Sequence, residues 1–331
     1  MNEEMRNLEE EKQFIATTYI DLTRHGSRFG GPMDITFADG SRQKFDDPTD
    51  LTPVGKSRAK EYGAANYPEE VTLVHPRGGD EPRHGETGED ILAGSEKFGE
   101  REDASPVKGK TGKVKGARRG KGVDYAGAGL NPVLKQYKDL INTKLNRLVL
   151  ELSPEDQERF KSDAEFRAAN REKAQIVGLR EALANEDIAR PLAENEANEL
   201  MHAIELSRRG VKGGESKAIP IVGSGLFAES LYKQALVVED PQTGERKVGF
   251  DDVDEIGGFT KQATAFRIKL SRDTRMGDPR SLDDFDKDTK AEFEFTDPER
   301  AKLFKGKRVY LDWQKVRELA EVAKSRFEKK E

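Results

Sequence analysis

The sequence predicts an α/β fold, a three-layer αβα sandwich around a mostly parallel central sheet, with a helical insertion and a C-terminal helix. Three apolar, β-branched runs predict buried strands: ATTYIDLT at 16–23, VTLVHP at 71–76 and AIPIVGSG at 218–225. A polar or glycine-containing loop ends each run, and a helical pattern follows. This alternation is typical of a parallel sheet that is covered by helices on both faces.

The length allows one large α/β domain with embellishments or two smaller domains, and the absence of cysteine fits an intracellular protein. The chain has 331 residues, of which 34% are hydrophobic and 36% charged, and we expect a single domain over 1–331. It contains no cysteine, which excludes disulfides, thiolate metal sites and cysteine nucleophiles. The formal net charge of -6 argues against a general nucleic-acid binder, because such proteins need a positive field.

The N-terminus does not resemble a secretory signal. MNEEMRNLEEEKQF is acidic and amphipathic, whereas a signal peptide is basic and then apolar. No later segment approaches an apolar run that would span a membrane. We therefore expect a cytoplasmic protein.

The first strand ends in a functional loop, and two helices follow farther along the chain. The strand at 16–23 stops at the motif Arg24-His25-Gly26-Ser27-Arg28, and a Gly- and Asp-rich excursion extends to about residue 50. Thr52 as N-cap and Pro53 in the first helical position predict a helix to about Tyr67. After the strand at 71–76, a second helical pattern begins near Arg83.

Residues 99–130 predict a basic, glycine-rich insertion loop that is mobile. Charge runs in such loops are commonly solvated, but this one is also a candidate contact for a polyanion, a highly phosphorylated substrate or RNA. Aromatic residues do not alternate with the basic ones, which disfavours a stacking platform for single strands. The basic residues concerned are Lys108, Lys110, Lys113, Lys115, Arg118, Arg119 and Lys121.

The second half of the chain begins with a helical segment. Residues 131–210 predict a helical cap or side layer, with breaks near Ser153-Pro154, near Asn185 and at Arg190-Pro191. Further strands are predicted at 262–271 and 291–295, a solvated loop at 281–290, and a C-terminal helix from about Asp312.

The loops after the three predicted strands are expected to share one pocket, because ligands bind outside the carboxyl ends of parallel strands. An Arg-His-Gly triplet there has a specific use. Arginine holds phosphate oxygens bidentately, glycine allows close approach of the backbone, and histidine can attack phosphorus to form a phosphohistidine.

These blocks resemble the histidine phosphatase superfamily, which includes phosphoglycerate mutase-like enzymes and histidine acid phosphatases. DLTRHGSR matches its first motif, and Arg28 matches a further arginine of the acid-phosphatase branch. LTPVG at 51–55 matches a common helix start, and HPRGGDEPRHGETGEDIL keeps the proline, Arg83 and Thr87 of the next block. Four blocks occur in the family order over roughly 16–270, which is more specific than an isolated triplet.

Two departures from the family pattern concern the catalytic pocket. His75 stands where a serine is usual, and Ser224 falls where the second catalytic histidine is expected. A neutral serine in that place removes a potentially cationic donor, a loss of roughly 10²–10³ in rate by analogy with an oxyanion-hole contact. His75 is a candidate substitute for the missing histidine.

The resemblance implies a phosphomonoesterase or phosphomutase that acts through a phosphohistidine at His25. Arg24, Arg28, Arg83 and Ser224 would bind the phosphoryl group, and no cofactor is implied. The proton-donating acid stays open: Glu100 and Glu102 match one branch weakly, and Gly225 stands where the other branch has an aspartate. The substrate would be a phosphorylated small molecule or a phosphoprotein.

Two other readings of the chain remain. It could be a catalytically degenerate member that binds a phosphorylated ligand or protein partner, or an interaction protein that uses the helical region and the basic loop. Among the other histidines, His84 is expected to face solvent and His202 to lie on a helix face. The four histidines lack the spacing of a zinc site, so no metal is predicted.

Overall fold

A computed structural model gives the fold of the chain. The model describes residues 14–24, 32–47, 50–67, 71–74, 76–78, 82–96, 98–100, 106–108, 130–207, 213–223, 226–261, 264–276 and 289–328. In chain order the strands are β1 (Ile15–Arg24), β2 (Pro32–Thr36), β3 (Arg42–Asp46), β4 (Val71–Val74), β5 (Arg77–Gly78), β6 (Phe98–Glu100), β7 (Pro106–Lys108), β8 (Ser216–Gly223), β9 (Leu236–Glu239), β10 (Arg246–Val248), β11 (Ala265–Asp273), β12 (Thr289–Phe295) and β13 (Arg308–Leu311).

The α-helices of these ranges are interspersed with the strands. They are α1 (Pro53–Asn66), α2 (Pro82–Ser95), α3 (Asn131–Glu151), α4 (Pro154–Ser162), α5 (Ala164–Ala184), α6 (Glu186–Ser207), α7 (Phe227–Ala235), α8 (Pro298–Leu303) and α9 (Trp313–Glu328). Two short 3-10 helices cover Val253–Ile256 and Thr274–Met276.

The main sheet has parallel strands at its centre and antiparallel strands at both sides. Its order is β12-β11-β1-β8-β4-β6-β7, and β5 also pairs with β8. The pairings of β8 with β1, β4 and β5 are parallel, as is that of β4 with β6. Antiparallel pairs join β11 to β1 and β12, and β6 to β7. The prediction of an α/β fold with a mostly parallel central sheet is confirmed.

Helices cover both faces of the sheet, because successive side chains of each strand point to opposite faces. Ile20 and Leu22 of β1 enter the larger core, to which α6, α7 and α9 contribute. Tyr19, one position away, enters a second core that includes residues of α1 and α2. The layers are therefore helix, sheet and helix, as the sequence predicts.

Helices α1 and α2 approach each other closely. Thr52 caps α1 as predicted, since its hydroxyl accepts a hydrogen bond of 3.1 Å from the Gly55 amide. Gly63 of α1 lies against the Ile91 carbonyl group, and a Cβ atom at Gly63 would overlap that oxygen. The packing distance between the two helices therefore depends on the absence of a side chain here.

A smaller core joins the β2–β3 hairpin to the helices α3, α4 and α5. Phe37, Phe45 and Phe160 meet edge-on in it, with ring centroids 5.9 to 6.5 Å apart. The Arg167 guanidinium forms two hydrogen bonds, of 2.8 and 2.6 Å, with the buried Asp47 carboxylate. The hairpin lies in the segment where the sequence predicted only a polar excursion, so its strands were missed.

The helix breaks near Ser153 and Asn185 are confirmed, and α9 begins next to the predicted Asp312. The predicted break at Arg190-Pro191 is wrong, because Pro191 lies inside α6. A proline removes one backbone donor, but this helix buries a long apolar face against the sheet, which outweighs that loss. The Asn195 side-chain amide also donates a 2.7 Å hydrogen bond to the Pro191 carbonyl.

A second sheet, of order β10-β9-β13, was also missed by the sequence reading. Its strands are only three or four residues long, and every residue of β10 is exposed, so they carry little apolar periodicity. Across the described segments, no helix combines the length and apolar character that crossing a bilayer requires.

Candidate active site

Three strands end side by side at the carboxyl edge of the main sheet. In the parallel pairing of β1 with β8, Arg24 lies beside Gly223. On the other side of β8, Gly78 of β5 lies beside Val222. In the sequence, His25 directly follows Arg24, Ser224 directly follows Gly223, and α2 begins four residues after Gly78.

Arg24 is the one predicted site residue whose side chain lies within the described ranges. It is buried, with 8% of its surface exposed, and its Nε atom has no hydrogen-bond partner. Arg24 projects from the same face of β1 as Leu22, which is the face covered by α6 and α7. A buried guanidinium without a carboxylate partner in the described ranges leaves charge available for an anion.

The other predicted site residues lie outside the described part. His25, Arg28, His75 and Ser224 fall between described ranges. Arg83 is the second residue of α2, but its side chain is not described; Thr87, one turn later, is fully buried. The side chain of Glu100, at the end of β6, and the whole of Glu102 are outside as well.

The predicted insertion is described only at its start. Lys108 ends β7, and its side chain is not described. Residues 109–129 are not described, which leaves the predicted mobility and the polyanion contact of the basic run as predictions.

A buried ion pair lies close to this edge and was not found from the sequence. Arg77, the first residue of β5, places its Nη2 atom 2.7 Å from Oε2 of Glu199 in α6. Both side chains are almost fully buried. Arg77 directly follows the predicted strand at 71–76, and that position at a strand end was the available signal.

Three glutamates with buried side chains cluster on this face. Glu196 and Glu199 lie one turn apart on α6, and Glu229 is in the first turn of α7. The Thr260 amide donates a 2.6 Å hydrogen bond to Glu229. Burial, followed by the charges of Glu199 and Glu229, raises the pKa of Glu196 from 4.5 to about 8. Glu196 is therefore a carboxylic acid that keeps its proton at neutral pH.

Neighbouring buried polar groups extend this cluster along the same edge, towards β11 and β12. Arg300 Nη1 donates a 3.2 Å hydrogen bond to the Thr260 hydroxyl, and Arg300 Nη2 donates to the Gly258 carbonyl. Burial and the Glu229 charge raise the pKa of Tyr232 well above its usual range. The hydroxyl of Tyr232 and the Oε2 atoms of Glu196 and Glu229 have no hydrogen-bond partner.

The opposite face of β1 carries a second buried network. Asp21 accepts hydrogen bonds of 2.8 and 2.9 Å from Arg267 of β11 and one of 2.8 Å from the Tyr62 hydroxyl. The Arg267 guanidinium lies 5.2 Å from the Tyr19 ring centroid. Burial, followed by the Asp21 charge, raises the pKa of Tyr62 well above its usual range. This network joins β1, β11 and α1 three residues before Arg24.

The predicted exposure is confirmed for His202 and is wrong for His84. His202 lies on the outer side of α6 with 51% of its side chain exposed, as expected for a helix-face residue. The prediction that His84 faces solvent is wrong, because α2 turns His84 inward and buries it. Among the residues described, no group of three or more His, Cys, Asp and Glu side chains is arranged to hold a metal ion.

Comparisons with known proteins find similarity in solved structures alone. No protein-family model and no curated protein matches the chain. The phytase of Hafnia alvei, solved in complex with myo-inositol hexakis sulphate, aligns over 90% of both chains with 12% identity and a TM-score of 0.40. The phytase from Citrobacter braakii aligns over 93% of this chain and 97% of its own with 11% identity and a TM-score of 0.39.

Proposed function

We propose that the chain is a phosphomonoesterase or phosphomutase-like enzyme that acts through a phosphohistidine at His25. Its substrate is a phosphorylated small molecule or a phosphoprotein. The observation that supports this most is the register of β1 with β8, in which Arg24 lies beside Gly223. His25 and Ser224 directly follow these two residues in the sequence.

The roles follow from the chemistry of the side chains. His25 attacks phosphorus and forms a nitrogen–phosphorus bond while the ester oxygen departs. Arg24, Arg28 and Arg83 neutralise the equatorial oxygens, on which negative charge is spread during transfer. Ser224 donates a neutral hydrogen bond at the position where the resemblance implies a histidine. The buried, unpaired guanidinium of Arg24 supports its part in this scheme.

Hydrolysis of p-nitrophenyl phosphate by the purified chain and by His25→Ala tests the proposal. We expect measurable release of p-nitrophenol by the parent protein and its loss in the variant, because the nucleophile is removed. Thermal unfolding of both proteins establishes that the variant is folded. Equal rates in the two folded proteins would contradict the proposal.

A second candidate function is a degenerate enzyme that binds a phosphorylated ligand or protein partner without turnover. Ser224 favours it, since the resemblance places a histidine there. In that case inorganic phosphate raises the unfolding temperature of the chain, because a ligand that binds only the native state stabilises it. The rise would be lost in Arg24→Met, and no phosphate ester would be hydrolysed.

A further inference from the structure

A cavity of about 210 Å³ lies between the small sheet β10-β9-β13, the 3-10 helix Val253–Ile256 and the turn after α8. All the residues that line it belong to the described ranges. Phe250, Ile256 and Phe304 supply its apolar interior, and each of them is buried. Such an interior favours the apolar part of a ligand, because binding removes that part from water.

The apolar interior is held in place by the packing around it. The Phe304 ring stacks against Phe295 of β12, with ring centroids 5.3 Å apart. Gly249, which joins β10 to Phe250, has a φ of +70°, and a Cβ atom there would overlap the Lys233 carbonyl oxygen. This bend of the backbone therefore requires glycine. A cavity that is formed in advance loses little conformational entropy when a ligand enters.

The volume of the cavity limits the apolar part of a ligand to about one ring. A cavity of about 150 Å³ that is lined by Leu, Ile and Phe holds benzene. At about 210 Å³, this cavity has room for one ring and a few further atoms. The fitting ligand is therefore smaller than most cofactors.

Two of the charged side chains in the lining are engaged with other protein groups. Lys247 donates hydrogen bonds to the Asp251 and Glu255 carboxylates. Glu255 also accepts hydrogen bonds of 3.1 Å from the Asp251 and Asp252 amides. The hydrogen bond from Lys247, followed by the one from the Asp252 amide, lowers the pKa of Glu255. These contacts leave Lys247 and Glu255 little capacity for a ligand.

Glu245 and Lys307 also line the cavity, and their charged groups have no ion pair or hydrogen bond within the described ranges. They have opposite charges, yet they do not pair with each other. Asp240, which lies beside Glu245 in the β9–β10 hairpin, accepts hydrogen bonds from two amides of its own turn. The cavity thus presents one unpaired carboxylate and one unpaired ammonium group next to an apolar interior.

We propose that this cavity binds a free α-amino acid with an apolar side chain of about one ring. The side chain of the ligand enters the apolar interior, its ammonium group donates to the Glu245 carboxylate, and its carboxylate accepts from the Lys307 ammonium group. A zwitterion matches both charges. An amine leaves Lys307 unmatched, and a carboxylic acid leaves Glu245 unmatched, so both bind more weakly.

Methyl NMR of the chain with 13C-labelled isoleucine measures binding, and L-phenylalanine is the probe. We expect a saturable shift of the Ile256 methyl signal, because the ring of the probe lies against this side chain. The Ile176 signal is the internal control and should not move, since Ile176 is exposed on α5 and does not line the cavity. No phosphate ester takes part, so the result does not depend on the proposed function.

Three compounds that each lack one part of the probe test the recognition. Phenethylamine lacks the carboxylate, 3-phenylpropionate lacks the ammonium group, and glycine lacks the ring. Each is expected to bind more weakly than L-phenylalanine by about threefold or more, because at least one contact is lost.

Glu245→Gln and Lys307→Gln should each weaken the binding of L-phenylalanine by about three- to tenfold, since one charged contact is removed. Phenethylamine should lose affinity only in Glu245→Gln, and 3-phenylpropionate only in Lys307→Gln. The matched controls are Glu321→Gln and Lys305→Gln, because both residues are exposed and lie outside the lining. The methyl spectrum also shows whether each variant is folded.

Three results would overturn the proposal. The first is an Ile256 signal that does not move up to the solubility limit of L-phenylalanine. The second is an equal affinity for L-phenylalanine and glycine, which would exclude a role for the apolar interior. The third is an unchanged affinity for L-phenylalanine in folded Glu245→Gln and Lys307→Gln, which would exclude recognition of a zwitterion.

Discussion

Arg24 of β1 lies directly beside Gly223 of β8 at the carboxyl edge of a parallel pair. The pairing joins chain segments that are almost 200 residues apart in the sequence. Because the pair is parallel, both strands end at the same edge of the sheet, where ligands bind in open α/β sheets. Arg24 is the first residue of the Arg-His-Gly motif, and Gly223 directly precedes Ser224 in the sequence.

Arg24→Met and Arg77→Met are predicted to separate function from stability. Arg24 has no described partner that its loss would leave unpaired, so Arg24→Met should lower the unfolding free energy by less than about 1 kcal/mol. It should slow hydrolysis of p-nitrophenyl phosphate by about 10²–10³-fold, since a phosphoryl contact is removed. Urea unfolding and steady-state kinetics measure the two effects.

Arg77→Met, in contrast, should strongly lower the unfolding free energy. Its loss leaves the Glu199 carboxylate buried without its ion-pair partner, which costs about 3–5 kcal/mol of unfolding free energy. Comparable destabilisation by Arg24→Met and Arg77→Met would contradict the different bonding of the two guanidinium groups.

Asp21→Asn is predicted to destabilise the protein strongly. The substitution leaves the buried Arg267 guanidinium without the carboxylate that holds it in two hydrogen bonds. We expect a loss of about 3–5 kcal/mol in urea unfolding. Asp34→Asn is the control, because its pair with Arg42 is exposed and contributes at most about 1 kcal/mol. Similar losses in the two variants would be evidence against the buried network.

Gly63→Ala is predicted to push α1 away from α2. The added methyl group would overlap the Ile91 carbonyl oxygen, and such overpacking costs about 1–3 kcal/mol. Gly85→Ala in α2 meets nothing within 4 Å and should be neutral or stabilising, because alanine is the better helix former. The difference in thermal unfolding between the two variants checks the helix contact; no difference would argue against it.

Glu196→Gln is predicted to change how stability depends on pH. The pKa of Glu196 rises from 4.5 to about 8 on folding, so the folded protein holds a proton that the unfolded chain releases between these values. The parent protein therefore loses stability as the pH rises from 4.5 towards 8, and the glutamine variant does not.

At pH 7 we expect Glu196→Gln to be more stable than the parent protein by on the order of 3 kcal/mol, and at pH 4 to be equal to it. Urea unfolding at both pH values measures the difference. A difference that is the same at pH 4 and pH 7 would contradict a neutral, buried Glu196.

The sequence predicted the strands that have a long apolar run and the helices that have a clear N-terminal cap. β1, β8 and α1 were found because their apolar runs are buried and because Thr52 and Pro53 mark a helix start. The β2–β3 hairpin was missed because β3 is almost wholly exposed, so its residues carry a polar pattern. The break predicted at Pro191 is absent because burial of α6 overrides the local cost of a proline.

The site was predicted in part. The position of Arg24 at a strand end follows from the run of β1 and the motif that ends it. The cluster of Glu196, Glu199 and Glu229 could not be found, because it depends on how α6 and α7 pack over the sheet and not on any spacing in the sequence. His84 was placed wrongly for the same reason, since which face of α2 is buried depends on tertiary packing.

The most direct test of the central proposal is to trap the covalent intermediate. The protein is mixed with a phosphate ester, quenched at alkaline pH, where phosphohistidine survives, and digested for peptide mass spectrometry. We predict one phosphoryl group on the peptide that contains His25, and none in His25→Ala. Turnover of the ester with the phosphoryl group on another residue, or with no phosphorylated peptide at all, would contradict the account.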